Sequence, residues 1–266
     1  MTSIAIPTEI DSAIQSAMRS VEKECDVRIL LAVESGSRAW GFASPDSDWD
    51  VRFVYVHRPE WYLSIDDERD VIERMLPMDI DLAGWELRKT LRLFRKSNPP
   101  LLEWLRSPLL YKESYSFASS LRALSSDFFS PISVTYHYLS MARRNHAQYL
   151  MGEVVRLKKY LYVLRPLLAC EWVRLTGIMA PMEFQRKLDM LLPEGDVRQA
   201  VDRLLINKMS GGELGTGPKD PILHQWIEDR LAYYDEHPPV QKIPSATDTS
   251  RLDALFRSTL QEVWTS

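Results

Sequence analysis

Cysteine is nearly absent. Cys25 and Cys170 are the only two among 266 residues, which excludes a disulfide framework and leaves no ligand spacing for a structural zinc site. Both read as small buried hydrophobes, and their scarcity fits a reducing compartment. Long apolar runs are missing too, because no window approaches the roughly 20 residues that cross a bilayer. The first residues lack a basic start followed by an apolar stretch, so no secretory signal is read. The expectation is a cytoplasmic protein with no membrane partner. There is no excess of positive charge: 33 Lys and Arg stand against 37 Asp and Glu, a net charge of −4. Bulk charge therefore does not announce a nucleic-acid binder. Repeats and low-complexity tracts are absent. The glycine-rich stretch over 210–218, SGGELGTGP, fails as a P-loop. Gly212 and Gly217 have the spacing, but Pro218 stands where the lysine must be and Lys219 comes one place late.

What the chain does have is one dense stretch, Glu34–Asp50, ESGSRAWGFASPDSDWD. The run before it, VRILLAV over 27–33, is short, branched and apolar, as a buried strand is. Gly36 is expected to turn the chain tightly, using the positive φ that glycine tolerates. Ser37 then starts a short helix, whose free N–H groups and serine hydroxyl suit a triphosphate. After a turn at Ser44-Pro45-Asp46, DWDVRFVYV over 48–56 alternates as a strand. Side chains two apart on a strand share a face, with Cα atoms roughly 6–7 Å apart, so Asp48 and Asp50 can reach one metal centre while Trp49 points into the core. Carboxylates beside a phosphate cradle suit Mg²⁺, with Mn²⁺ as the alternative. Two such ions can clamp the attacking and leaving oxygens of a phosphoryl displacement. A third acid is sought about thirty residues on, in the strand-like DIDL of 79–82. Asp79 and Asp81 share a face there; Asp81 is favoured, with Asp79 in reserve.

The GSRA of 36–39, the SDWD of 47–50 and the later aspartate strand together resemble the DNA polymerase β nucleotidyltransferase superfamily. The DLAGW of 81–85, the LRK of 87–89, the SNPPLLEWLRSPLLY of 97–111 and the KKYLYVLRPLLACEW of 158–172 resemble one branch of it, the YcgL/RlaP type associated with RNA repair. The resemblance spans most of residues 25–235. It implies an α+β fold: a polymerase-β-like palm of mixed sheet and helices, set at 1–112, followed by a mostly helical domain at 113–266 that forms the other wall of a cleft. It implies Mg²⁺-dependent transfer of a nucleoside monophosphate from an NTP, with pyrophosphate released and an RNA end as acceptor. Gly36 and Ser37 then bind the β- and γ-phosphates, Arg38 neutralises phosphate charge, and Asp48, Asp50 and Asp81 hold the metals. Lys89 matches the family-like segment and follows Asp81 closely enough to approach the site. A protein or small-molecule acceptor, or an inactive nucleotide- or RNA-binding module, are the alternatives. Which NTP is used, and the oligomeric state, stay open.

The rest of the chain reads as support. Helices are expected over 8–24, 86–96, 133–152, 153–176, 181–192, 197–208, 221–236 and 250–264, from apolar residues at three- and four-residue spacing, and a short helix or turn over 101–106. Pro166 is expected to kink or split its helix. Val71–Leu76 forms a strand paired with the one carrying Asp81. Asp66, Asp67, Glu68 and Asp70 read as a solvated face, and His57 as a surface-loop histidine. Arg88, Arg92 and Arg95 line one stripe of their helix, with Lys89 and Lys96 beside it. Basic residues of 143–165 interleave with Tyr136, Tyr138, Tyr149, Tyr160 and Tyr162. Such a mixture can hold RNA by backbone contact and stacking, although the core claims at least half of these aromatics. A flexible loop is expected over 210–218 and a linker over 240–248.

Overall fold

The computed structural model describes residues 6–211, 215–239 and 249–265. The expected linker of 240–248, and Gly212 of the failed P-loop, lie outside them. The fold is α+β, and the chain divides into two compact units. Unit 1 comprises Met1–Ala39, Asp48–Phe128 and Ala246–Ser266; unit 2 comprises Trp40–Ser47 and Phe129–Ser245.

Unit 1 opens with helix α1 (Thr8–Glu24) and strand β1 (Val27–Glu34). The short helix α2 (Ser37–Trp40) and strand β2 (Trp49–His57) follow, then a 3₁₀ turn over Pro59–Leu63. Strands β3 (Val71–Leu76) and β4 (Ile80–Glu86) lead into helices α3 (Leu87–Arg95) and α4 (Pro99–Trp104), strand β5 (Leu110–Glu113), and helices α5 (Phe117–Ala123) and α6 (Ser125–Phe128). The strands form one mixed sheet in the order β3-β4-β2-β1-β5. β2 and β4 run parallel; the other neighbours are antiparallel.

Alternation along β2 explains how the sheet is used. Trp49, Val51, Phe53 and Tyr55 point to one face and pack with Ile80 and Leu82 of β4 against Ile14, Met18 and Val21 of α1. Burying side chains of this kind is worth about 1.5–3 kcal/mol each. The intervening residues, Asp50 and Arg52, are left on the opposite face with Asp81, Ala83 and Trp85 of β4. Gly84 lies opposite Phe53, and a Cβ there would stand 2.3 Å from the phenyl ring. Glycine at 84 is what lets that ring lie on β4.

α3 is anchored at its start. The buried Glu86 side chain accepts from the N–H groups of Arg88 (2.6 Å) and Lys89 (2.9 Å) and from the Tyr62 hydroxyl (2.6 Å). α3 ends at Arg95, and Asn98 then caps α4, with Pro99 at its first turn. His57 is not the surface-loop residue expected. It ends β2, its ring stacks on Trp61 at 4.2 Å, and burial pushes its pKa down to about 4.

Unit 2 holds helix α7 (Pro131–Tyr149), strand β6 (Val154–Arg156), helices α8 (Lys158–Thr176), α9 (Phe184–Leu191) and α10 (Asp196–Met209), strand β7 (Thr216–Pro218) and helix α11 (Pro221–Glu236). Three expectations change. A helix was expected from 153, but β6 occupies 154–156 and α8 begins only at Lys158. The stretch expected to be an open loop ends in β7, which pairs antiparallel with β6. Pro166 does not split α8, which runs unbroken through it. A proline there costs about 3 kcal/mol, less than burial of Tyr160, Leu161, Leu164, Leu167 and Leu168 returns. The excursion of 40–47 is held within this unit. Phe42 packs edge-on against Phe184, the Arg165 guanidinium lies over Trp40, and Lys208 Nζ donates to Ser44 Oγ at 2.6 Å.

The chain then returns to unit 1 as helix α12 (Ser250–Trp264). Its Trp264 Nε1 donates to the His57 carbonyl at 2.9 Å, and Phe256 meets Tyr62 edge-on. Among the described residues, no helix is long and apolar enough to cross a membrane.

Candidate active site

The centre of the site is a cross-strand pair of acids. Parallel pairing of β2 with β4 sets Asp50 opposite Asp81 on the same face. Arg52, two residues along β2, reaches back to both. Its Nη2 lies 2.9 Å from Asp50 Oδ1 and 2.7 Å from Asp81 Oδ2, and its Nη1 donates to the Asp81 carbonyl at 2.8 Å. Asp48 stands exposed just before β2. Burial raises the Asp50 pKa, Asp81 and Asp48 raise it further, and Arg52 and Arg38 oppose them. Three carboxylates are therefore gathered where their charges repel, and a guanidinium already answers part of that repulsion.

Gly36 serves this pair in a way the sequence did not suggest. Its φ lies outside the left-handed region, so the turn alone does not demand glycine. The demand comes from Asp50: a Cβ on Gly36 would stand 1.8 Å from Asp50 Oδ2. Ser37, the next residue, begins α2. Arg38 lays its guanidinium 3.7 Å from the centre of the Trp49 ring and donates from Nε to the Asp48 carbonyl at 3.2 Å. That fixes its charge near the carboxylates.

Glu34 and Tyr111 form a buried support that sequence reasoning missed. Glu34 Oε1 accepts from the Asp50 N–H at 3.0 Å, and Oε2 accepts from the Tyr111 hydroxyl at 2.5 Å. Burial pushes the Glu34 pKa up to about 7, against the pull of those two donors. Burial and the neighbouring Glu34 also raise the pKa of Tyr111. Arg52 was missed as well. Its signal was the period of two, which places Asp50 and Arg52 of β2 on one face.

The structure separates the two candidates for third acid. Asp81 faces Asp50. Asp79 precedes β4 in a left-handed conformation, with φ of 54°, and is exposed; its carbonyl accepts from Trp49 N–H at 2.8 Å. The two do not share a strand face, because the strand starts only at Ile80. Nor is Lys89 brought to the cluster. Asp81 is the second residue of β4 and Lys89 lies beyond its far end, about 16 Å away along the strand at ~3.3 Å per residue. The Lys89 ammonium pairs instead with Asp70 at 2.8 Å.

Beside Arg52 and Asp81 lies a cavity of about 460 Å³, lined also by Arg74, Met75, Trp85 and Trp104. The two indoles stack at 4.0 Å with 29° between planes. Elsewhere in unit 1, the Arg88 guanidinium of the basic stripe lies over Tyr62 and Phe256, so part of that stripe faces α12. In unit 2, Tyr138 and Tyr160 are core residues, whereas Lys159 stands over the rings of Tyr149 and Tyr162 at 4.2 and 4.6 Å.

Comparison with known proteins gives the chain its family. YcgL of Bacillus subtilis (strain 168), itself an uncharacterized protein, is 47% identical over 247 residues, covering 93% of this chain and 95% of its own. A solved nucleotidyltransferase-like protein from Exiguobacterium sibiricum aligns over 95% of this chain and 91% of its own, at 13% identity and a TM-score of 0.31, too loosely to carry an argument. The model of the RlaP family, described as the RNA repair pathway DNA polymerase beta family, matches residues 10–258. With the match running from α1 through the acid pair to α12, the chain belongs to that RNA-repair-associated branch of the polymerase β nucleotidyltransferases.

Proposed function

We propose that the protein transfers a nucleoside monophosphate from an NTP to a hydroxyl at an RNA end, releasing pyrophosphate. The observation that carries this reading is the cross-strand pair Asp50–Asp81 with Asp48 beside it, already bridged by one cationic group, Arg52. An all-oxygen, all-carboxylate donor set fits a hard divalent ion such as Mg²⁺ or Mn²⁺. Arg52 supports the fit, because its guanidinium stands where positive charge is wanted. Asp48, Asp50 and Asp81 would hold the metal. Such ions neutralise phosphate charge and activate a hydroxyl for attack.

The chain's own residues account for the remaining work. Gly36 and Ser37 offer backbone N–H groups and a hydroxyl to the phosphates, and Arg38 adds charge near them. The acceptor oxygen bonds to the α-phosphorus while the bond to the bridging oxygen breaks. Pyrophosphate departs, and the hydroxyl proton passes to the carboxylate of Asp81. The cavity walled by Trp85 and Trp104 has a size suited to a ligand, and an aromatic floor on which a base can stack. Family membership in an RNA repair group favours RNA as the acceptor.

The test is incubation with each labelled NTP, Mg²⁺ or Mn²⁺, and RNAs of defined ends, run beside Asp50→Asn. Label entering RNA with the wild type alone supports the proposal. Label on protein, or on small molecules only, replaces the acceptor. Equal labelling by Asp50→Asn removes the acid pair from the chemistry.

A further inference from the structure

Unit 2 contains a second polar cluster, chemically unlike the first. His146 lies on α7; His224 and Glu228 lie one turn apart on α11. One ligand atom from each falls within 4.8 Å of the other two. The imidazole centroids are 5.5 Å apart, and His224 Nε2 is 3.1 Å from Glu228 Oε1. Bonds of about 2.0–2.2 Å to one tetrahedral ion place ligand atoms roughly 3.3–3.5 Å apart. One contact is already near that spacing, and small side-chain rotations bring in the third atom.

The cluster does not close as a hydrogen-bond network. His146 Nε2 and His224 Nδ1 are buried, and neither has a hydrogen-bonding partner among the described residues. His224 Nε2 faces two neighbours with opposite demands. The Glu228 carboxylate at 3.1 Å asks that nitrogen for a proton, whereas the Lys219 ammonium at 3.5 Å asks it for a lone pair. Both cannot be met by one imidazole nitrogen. A divalent ion takes the lone pair and the carboxylate together. Lys219, on a flexible four-carbon stem, is the group it displaces.

We propose that His146, His224 and Glu228 form a binding site for a borderline transition-metal ion of the Zn²⁺ type. Two imidazoles and one carboxylate select such ions over Mg²⁺, whose preference is for oxygen. Three protein ligands leave a fourth position to water. The ion ties α7 to α11, helices that are otherwise distant in the chain, and it is independent of the carboxylate cluster in residues and in donor chemistry.

The experiment is titration of the full-length, chelator-stripped protein with Co²⁺, whose visible absorption reports nitrogen ligation, followed by displacement with Zn²⁺. The wild type is expected to give a saturable band that Zn²⁺ removes. His146→Ala, His224→Ala and Glu228→Gln are each expected to weaken binding at least about tenfold, whereas Asp48→Asn with Asp50→Asn leaves it unchanged. Because loss of a buried imidazole can also disturb folding, Glu228→Gln is the deciding variant. Its carboxylate is 48% exposed, and circular dichroism checks the fold. No band with the wild type, or an undiminished band with Glu228→Gln and His224→Ala, overturns the proposal.

Discussion

Gly36→Ala adds one methyl group where Asp50 already stands. The new Cβ would be 1.8 Å from Asp50 Oδ2, 2.7 Å from Cγ and 3.1 Å from Cβ. Bringing the first of these to 3.0 Å requires the oxygen to retreat by at least 1.2 Å. The backbone cannot supply the movement cheaply. Asp50 N–H is held by Glu34 Oε1, and Asp50 O accepts from Ser35 N–H at 2.8 Å. The carboxylate must swing away instead, and it leaves the position from which Oδ1 meets Arg52. Alanine suits the φ of residue 36, so the effect is one of crowding and not of backbone strain. Crowding of this kind costs about 1–3 kcal/mol of stability. A displacement near 1 Å at a reacting centre costs on the order of 100-fold in rate. The assays are thermal unfolding, Mn²⁺ binding followed by electron paramagnetic resonance, and label transfer from NTP. Gly36→Ala is expected to bind Mn²⁺ more weakly and to lose about two orders of magnitude in transfer while still folding. If its Mn²⁺ affinity and unfolding midpoint both match the wild type, the argument that glycine is there to admit Asp50 is refuted.

Three further outcomes are expected. Arg52→Leu leaves Asp50 and Asp81 facing each other without their guanidinium; because both acids are partly exposed, the loss should be about 1–2 kcal/mol, and Mg²⁺ should raise its melting temperature more than that of the wild type. An equal Mg²⁺ response would contradict the idea that Arg52 and a metal answer the same charge. Gly84→Ala, pressed against Phe53 at 2.3 Å, should cost about 1–3 kcal/mol in denaturant unfolding, and Phe53→Leu on that background should restore part of it. His57 titrates near pH 4 in the fold and near pH 6.5 in an unfolded chain. Above pH 6.5 both states are neutral and its contribution is complete. As pH falls the unfolded chain takes up the proton first, so stability is lost down to about pH 4. His57→Gln should flatten that limb of the stability–pH curve, and an unchanged slope would sink the assignment.

Local periodicity made much of this molecule legible. α1, α11, α12 and β3 fall where the apolar spacing places them, because each buries one stripe or one strand face. Alternation along β2 and β4 made Asp50 and Asp81 readable as strand residues, whereas Asp48, like Asp79, lies one residue before its strand. What escaped depends on pairing between distant segments. The setting of Asp81 opposite Asp50, the bridge from Arg52, and the hold of Glu34 on the Asp50 amide all arise only once β1, β2 and β4 are in register. Asp79 was misplaced by one residue of strand boundary, and Lys89 by treating nearness in sequence as nearness in space. The requirement for Gly36 was recognised, but its cause is a side chain fourteen positions away. β6 and β7 are only three residues each and are separated by three helices, so no local pattern announces their pairing.

The return of α12 to unit 1 sets an order of events during synthesis. Residues up to Phe128 supply the whole five-stranded sheet and the acid pair, yet α12 is translated only after all of unit 2. Until then His57, Tyr62 and the arginine-bearing side of α3 lack the helix that meets them. Domains generally fold as units while the chain emerges, but here the first to begin is the last to finish. Apolar surface around Tyr62 stays uncovered on the nascent chain for the time it takes to make unit 2, and a ribosome-bound chaperone has its longest opportunity there.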